Sequence, residues 1–216
     1  RQARPHSVAK AIMMPPGRHD VPLKDDIRQL GRLLGETLRE QGGDELFWTV
    51  ESIRQLAKEA RAGRPGARAA LEQRLAELDD ALIMPVARAF SHFLNLANIA
   101  EQHHRVRRSR AYQREPEAPP LRGSLAEAFP RLAEQVYPER LYEAVCNLQI
   151  GLVLTAHPTE VSRRTLLQKY SRIADLLAFQ DRPDLTPAEA EETEQALKRE
   201  ITAAWFTDEI RQRRPT

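Results

Sequence analysis

The sequence predicts a mainly α protein, and three observations carry that reading. Apolar residues recur at spacings of three and four through most of the chain. Ser124 stands three residues before Glu127, and Thr186 three before Glu189, each at the start of an apolar stripe, as in a capping box. Only one run, Leu148 to Leu154, has the continuous and branched apolar character of a strand.

The first helix is read from Leu23, Ile27, Leu30, Leu34 and Leu38, which share one face at helical periodicity. The Gly42-Gly43 pair breaks it, and Asp44 is placed to cap a second helix carrying Leu46, Val50, Ile53, Ala57 and Ala60. Leu71, Leu75, Leu78 and Leu82 form a third stripe. Pro85 then opens or kinks a stretch carrying Phe90, Phe93, Leu94 and Ala97. Within it, Asn95 and Asn98 are expected to be buried hydrogen-bonding groups.

Periodicity stops between Arg105 and Gly123, where a basic run is followed by Pro116 and Pro119-Pro120. This predicts a mobile surface loop. Ser124 opens a helix with Leu125, Phe129, Leu132 and Val136 on one face, and Pro138 suits the first turn of the next. After the strand-like run, helical spacing resumes through Leu166, Tyr170, Ile173 and Leu177. A last helix starts at Thr186-Pro187 and carries Leu197, Ile201, Ala204 and Trp205. The organisation is therefore an N-terminal extension over 1–20, a helical region over 21–147 with a loop at about 105–123, and a portion over 148–216 holding the strand, a motif and two helices.

Composition narrows the function classes. The 216 residues include 33 basic and 31 acidic side chains, a balance unlike the basic excess of a nucleic-acid or membrane-surface protein. No apolar run approaches the ~20 residues that span a bilayer. The single cysteine, Cys146, has no internal partner, which fits a reducing compartment or indifference to redox. A cytoplasmic protein without nucleic-acid or membrane partners is expected. The chain lacks an initial methionine and stops directly after a helical pattern, so a fragment is expected too.

One residue stands out chemically. His157 follows the strand-like run and precedes a helix, and Pro158 pushes it towards an extended conformation. Thr155 and Thr159 flank it, and the coming helix offers unpaired N–H groups that favour anions. Histidine moves protons near neutral pH. Strand end, rigid turn and helix start resemble one βα unit of a barrel enzyme, whose catalytic groups sit at strand C-termini. A structural, hydrogen-bonded histidine has the same local signature. His92, His103 and His104 share one helical region without a completed zinc spacing, so they are read as polar helix positions.

The stretch Leu154-Thr-Ala-His-Pro-Thr-Glu160, continuing through Val-Ser-Arg-Arg-Thr-Leu-Leu-Gln-Lys169, resembles the first signature of phosphoenolpyruvate carboxylases. So do Phe90-Ser-His-Phe-Leu-Asn-Leu-Ala-Asn-Ile-Ala-Glu101, Arg199 to Arg211, and Leu30-Gly-Arg-Leu-Leu-Gly-Glu36. Several blocks in the family's order are more specific than one motif.

The resemblance implies the helical N-terminal part of a β/α barrel, with a first barrel strand over about 148–154. It implies an anaplerotic lyase that joins phosphoenolpyruvate to bicarbonate and yields oxaloacetate and phosphate, with Mg2+ or Mn2+. His157 takes the position of the family's catalytic histidine. Arg163, Arg164 and Arg211 match arginines that bind an activating sugar phosphate in plant-type members, a task suited to the planar guanidinium fork. A solvated, ion-paired helix face would look the same. The family's metal ligands lie in later segments, so none is expected in this chain. The expected partners are the rest of the polypeptide and, for the whole enzyme, a homotetramer. The competing expectation is a non-catalytic helical binding or scaffold module derived from that enzyme.

Overall fold

The computed structural model describes residues 21–114, 120, 123–153 and 163–208. Among them the chain forms seven helices: α1 (Val21–Arg61), α2 (Ala67–Ala76), α3 (Asp80–Gln113), α4 (Leu125–Ala133), α5 (Pro138–Cys146), α6 (Arg164–Gln180) and α7 (Pro187–Trp205). They divide between two compact units, one drawn from Arg1–Arg105 with Ser162–Thr216 and the other from Val106–Val161.

The first unit has a continuous apolar core. Leu30, Leu33, Leu34, Leu38, Leu46 and Ile53 of α1 meet Val86, Ala89, Leu96 and Ala100 of α3, Ile173 and Leu177 of α6, and Leu197, Ile201 and Trp205 of α7. The break expected at the glycine pair is present: Gly43 adopts φ 82° and ψ 170° inside α1. That backbone is open to glycine alone at low cost. The chain turns back there, bringing the Arg39 guanidinium to 4.1 Å from the Phe47 ring centroid. Eight residues of straight helix would separate them by about 12 Å. Asp44 pairs with Arg39 at 3.0 Å across the bend.

Polar groups key the helices to one another. Thr37, fully buried on α1, donates to the Leu33 carbonyl at 2.9 Å and lies 3.1 Å from the Thr202 hydroxyl of α7. On the rim of the same contact, Arg32 reaches Glu36 at 2.6 Å and Glu194 at 2.8 Å, while Lys198 reaches Glu40 at 2.6 Å. These hydrogen bonds raise the Arg32 and Lys198 pKa values above their ordinary ones.

Four expectations change. The third stripe is cut: α2 ends at Ala76, and Asp79 accepts from the Ala81 N–H at 2.7 Å to start α3. Helix α3 runs through Pro85 and on to Gln113, so the stretch from Arg105 to Gln113 is helix and not loop. Arginine and glutamine are good helix formers, and Arg105 pairs with Glu101 one turn back at 2.7 Å. Asn98 is exposed and Asn95 half-buried, so the asparagines are not the buried keys of α3. The strand does not form over the described residues 148–153 of its range, which have no regular structure. An extended segment needs neighbouring strands to receive its N–H and C=O groups.

In the second unit, Ser124 caps α4 by accepting from the Glu127 N–H at 3.2 Å. The Glu127 carboxylate returns to the Gly123 N–H at 2.6 Å. Pro138 opens α5 as its composition requires. Neither helix contains a buried residue.

Candidate functional site

Helix α6 carries the described part of the candidate site. Its inner face is fixed by Leu166, Ile173 and Leu177, each at most 1% exposed. Arg163 caps it with extended backbone, φ −62° and ψ 129°, and with no side-chain acceptor. The first turn contains no acid. A helix start leaves N–H groups unpaired and carries partial positive charge. Here two guanidinium groups are added, exposed Arg164 and half-buried Arg163. The Arg163 Nε is buried and has no hydrogen-bond partner among the described residues. Unpaired N–H groups at a helix start favour anions as a general rule.

The body of α6 is keyed by polar contacts. The Tyr170 hydroxyl lies 3.1 Å from Nδ1 of His92 on α3. His92 is 2% exposed, and its ring stands 5.9 Å from that of Trp205 on α7. Arg88 covers the same indole at 5.0 Å. Further along, Arg172 donates to Glu200 of α7 at 2.8 Å. At the C-cap of α6, the Asp181 carboxylate is 3.0 Å from Nε2 of His103.

The histidines of α3 are polar helix positions turned inward. His92 and His104 are buried, and His103 is an interhelical partner. The signal was in the spacing. Val86, Ala89, His92, Leu96, Ala100 and His104 form one buried stripe at intervals of three and four. The exposed Leu94 falls outside it.

Of the expected site residues, Arg163 and Arg164 stand together at the start of α6. His157 and Arg211 lie outside the described residues, as does all of 154–162. Among the described residues no three His, Cys, Asp or Glu side chains are grouped to hold a metal ion. The described residues therefore offer no ligand set for the divalent ion that the resemblance implies. No helix among the described residues is long and apolar enough to cross a membrane.

The described residues define a mainly α protein with two adjacent arginines at the start of α6, and the His157-Pro158 pair stands a few residues earlier in the sequence. Comparison with known proteins makes the class specific. The family model described as phosphoenolpyruvate carboxylase matches residues 23–216. Proteins named phosphoenolpyruvate carboxylase from Acinetobacter baumannii and Alcanivorax borkumensis are each 50% identical over 198 residues, and that from Pseudomonas aeruginosa is 48% identical. Each match covers 91% of this chain and 22% of the relative. The chain belongs to the phosphoenolpyruvate carboxylase family, and it spans about a fifth of the length of these relatives.

Proposed function

We propose that the chain is the opening segment of a phosphoenolpyruvate carboxylase that makes oxaloacetate and phosphate from phosphoenolpyruvate and bicarbonate. The family match over residues 23–216, which includes the His157 motif, carries this reading. Bicarbonate attacks the phosphorus, giving carboxyphosphate and the enolate of pyruvate. His157 takes the carboxyl proton, and the bond from the carboxyl carbon to the bridging oxygen breaks. Carbon dioxide and phosphate result. The enolate carbon captures the carbon dioxide, and the proton passes from His157 to phosphate. Such a base must be neutral and close to phosphate, in a site that excludes water.

The unpartnered Arg163 Nε and the acid-free first turn of α6 support an anion site here. Arg163 and Arg164, with Arg211, hold the phosphate of an activating sugar phosphate in this reading, which makes the enzyme allosteric. Mg2+ or Mn2+ supplies charge neutralisation when bound, through ligands in the portion that this chain does not span. That portion also pairs with residues 148–154, and the chain alone is inactive. The working enzyme is a cytoplasmic homotetramer feeding the tricarboxylic acid cycle.

The test measures oxaloacetate formation by the full-length enzyme and its His157→Asn variant. Loss of a positioned base should reduce carboxylation by about 10²-fold or more. A variant as active as its parent would overturn the assignment.

A further inference from the structure

We propose that the cleft between the two halves of α1 and α3 receives an amphipathic helix with acidic flanks, supplied by the part of the same polypeptide beyond Thr216. The inference rests on the reading of this chain as the opening of a longer enzyme, and not on the role of His157.

The turn at Gly43 lays the second half of α1 back against the first. A cleft of about 870 Å³ opens between these halves and Ala89, Phe90 and Phe93 of α3. Its floor is apolar: Ile27, Phe47, Val50, Phe90 and Phe93 line it and are only half-buried. Two glycines let the rings lie directly on the α1 backbone. A Cβ at Gly35 would stand 3.2 Å from Phe47 Cε2, and one at Gly31 3.4 Å from Phe93 Cε2. Trp48, 59% exposed, stands 5.0 Å from the Phe47 ring and extends the aromatic surface. Contiguous apolar surface rimmed by charge marks a contact with another element.

The sign of the rim selects the partner. Arg32, Glu36 and Glu40 border the cleft but are tied to Glu194 and Lys198 of α7. The remaining charges that line it are Lys24, Arg28, Arg39 and Arg54 against Glu51. Arg28 and Arg39 pair with Asp25 and Asp44, which lie outside the lining and are more than half exposed. Exposed pairs of this kind are weak and leave the cations open to other acids. The first turn of α1 contains no acid, so the positive end of the helix adds to the same rim. A basic rim favours an acidic partner. Residues 1–20 carry four basic side chains and one acid, the same sign as the rim. A second copy docked through this face would set basic rim against basic rim.

Shape and length point to a helix. The cleft follows α1 from Lys24 to Glu40, about 24 Å at 1.5 Å per residue, the length of a helix of about 16 residues. Amphipathic helices fill such grooves with apolar residues spaced three and four apart. About four-fifths of the length of the relatives lies outside this chain. A covalently linked helix acts at an effective concentration of order mM, so modest contacts hold it in place.

The experiment uses the full-length enzyme with the photo-cross-linker p-benzoylphenylalanine in place of exposed Arg54, whose replacement leaves the core untouched. After irradiation, the cross-link should map to a peptide beyond Thr216 of the same chain, with apolar residues at helical spacing and net negative charge. A cross-link to residues 1–20, a cross-linked dimer on a denaturing gel, a basic peptide or no cross-link would overturn the proposal. A second measurement follows thiol modification of Val50→Cys in the full-length enzyme. Adding Lys24→Glu and Arg28→Glu should speed it by about threefold or more, because a weakened rim raises the open population. An unchanged rate would equally overturn it. Oxaloacetate formation by the unsubstituted enzyme tests the enzyme reading separately. An inactive parent with the cross-link in place strikes that reading alone, and an active parent without it strikes the docking alone.

Discussion

In the unit formed by Arg1–Arg105 and Ser162–Thr216, Ile173 and Leu197 are fully buried, and Leu30, Leu33, Leu166 and Leu177 nearly so. In the Val106–Val161 unit, α4 and α5 contain no fully buried residue, and Ile150, Leu152 and Val153 are about four-fifths exposed. Both units contain helices with apolar stripes and well-formed caps. The difference lies in what each stripe finds to cover it. In the first unit four long helices cover one another. In the second, two nine-residue helices lie below the ~12–15 residues at which isolated helices become stable, and they depend on packing that these residues do not supply. Amphipathic pattern specifies an element and the face it must bury, but the partner has to be present.

The largest expected effect tests this contrast directly. Ile173→Ala in the 216-residue chain should cost about 2–5 kcal/mol in urea unfolding followed by far-UV circular dichroism, because it opens a cavity in a filled core. Leu152→Ala should change stability by less than about 0.5 kcal/mol, since its side chain is already in water. Equal losses at the two sites would show that residues 148–153 are packed, and the contrast would fail.

The same contrast explains what could be read from the sequence. The stripes of α1, α6 and α7, the glycine break, the Thr186 box and the proline opening α5 were legible because each depends on residues within a turn or two. The strand over 148–154 was not realised over 148–153, because its backbone partners are not among the described residues. Helix α3 past Arg105 was missed because its support is an i,i+4 ion pair, Glu101–Arg105, and not an apolar stripe. The His92–Tyr170 contact joins positions 78 residues apart, so no local pattern announces it. At the candidate site, the paired arginines at the start of α6 were legible as a cluster. The chemistry proposed for His157 rests only on the resemblance.

An intermediate effect is expected at the bend that builds the first unit. Gly43→Ala forces a Cβ on to backbone at φ 82° and ψ 170°, which should cost about 1–3 kcal/mol. The space around that position is open, so the cost is conformational and not steric crowding. Gly151→Ala, in the irregular segment of the second unit, should be neutral in the same urea titration. A neutral Gly43→Ala would mean that the two halves of α1 do not need their turn.

The smallest effect compares the two caps. Thr186 and Glu189 make a complete box, with Thr186 Oγ1 accepting from the Glu189 N–H at 3.3 Å and the Glu189 carboxylate accepting from the Thr186 N–H at 2.9 Å. Removing such a cap by Thr186→Ala should cost about 1 kcal/mol of global stability. Ser124→Ala should leave the main transition unmoved, because α4 contributes nothing to the buried core. The Thr186 box also carries a pH signature. Hydrogen bonds from the Thr186 N–H and hydroxyl hold the Glu189 carboxyl below its ordinary value of 4.5. Its contribution is then fully present above about pH 4.5 and is lost as pH falls through the lower folded value. Glu189→Gln keeps a capping side chain but cannot titrate, so its stability relative to the parent should improve on acidification below pH 4.5. A constant difference across that range would mean that the carboxylate form contributes nothing to the cap.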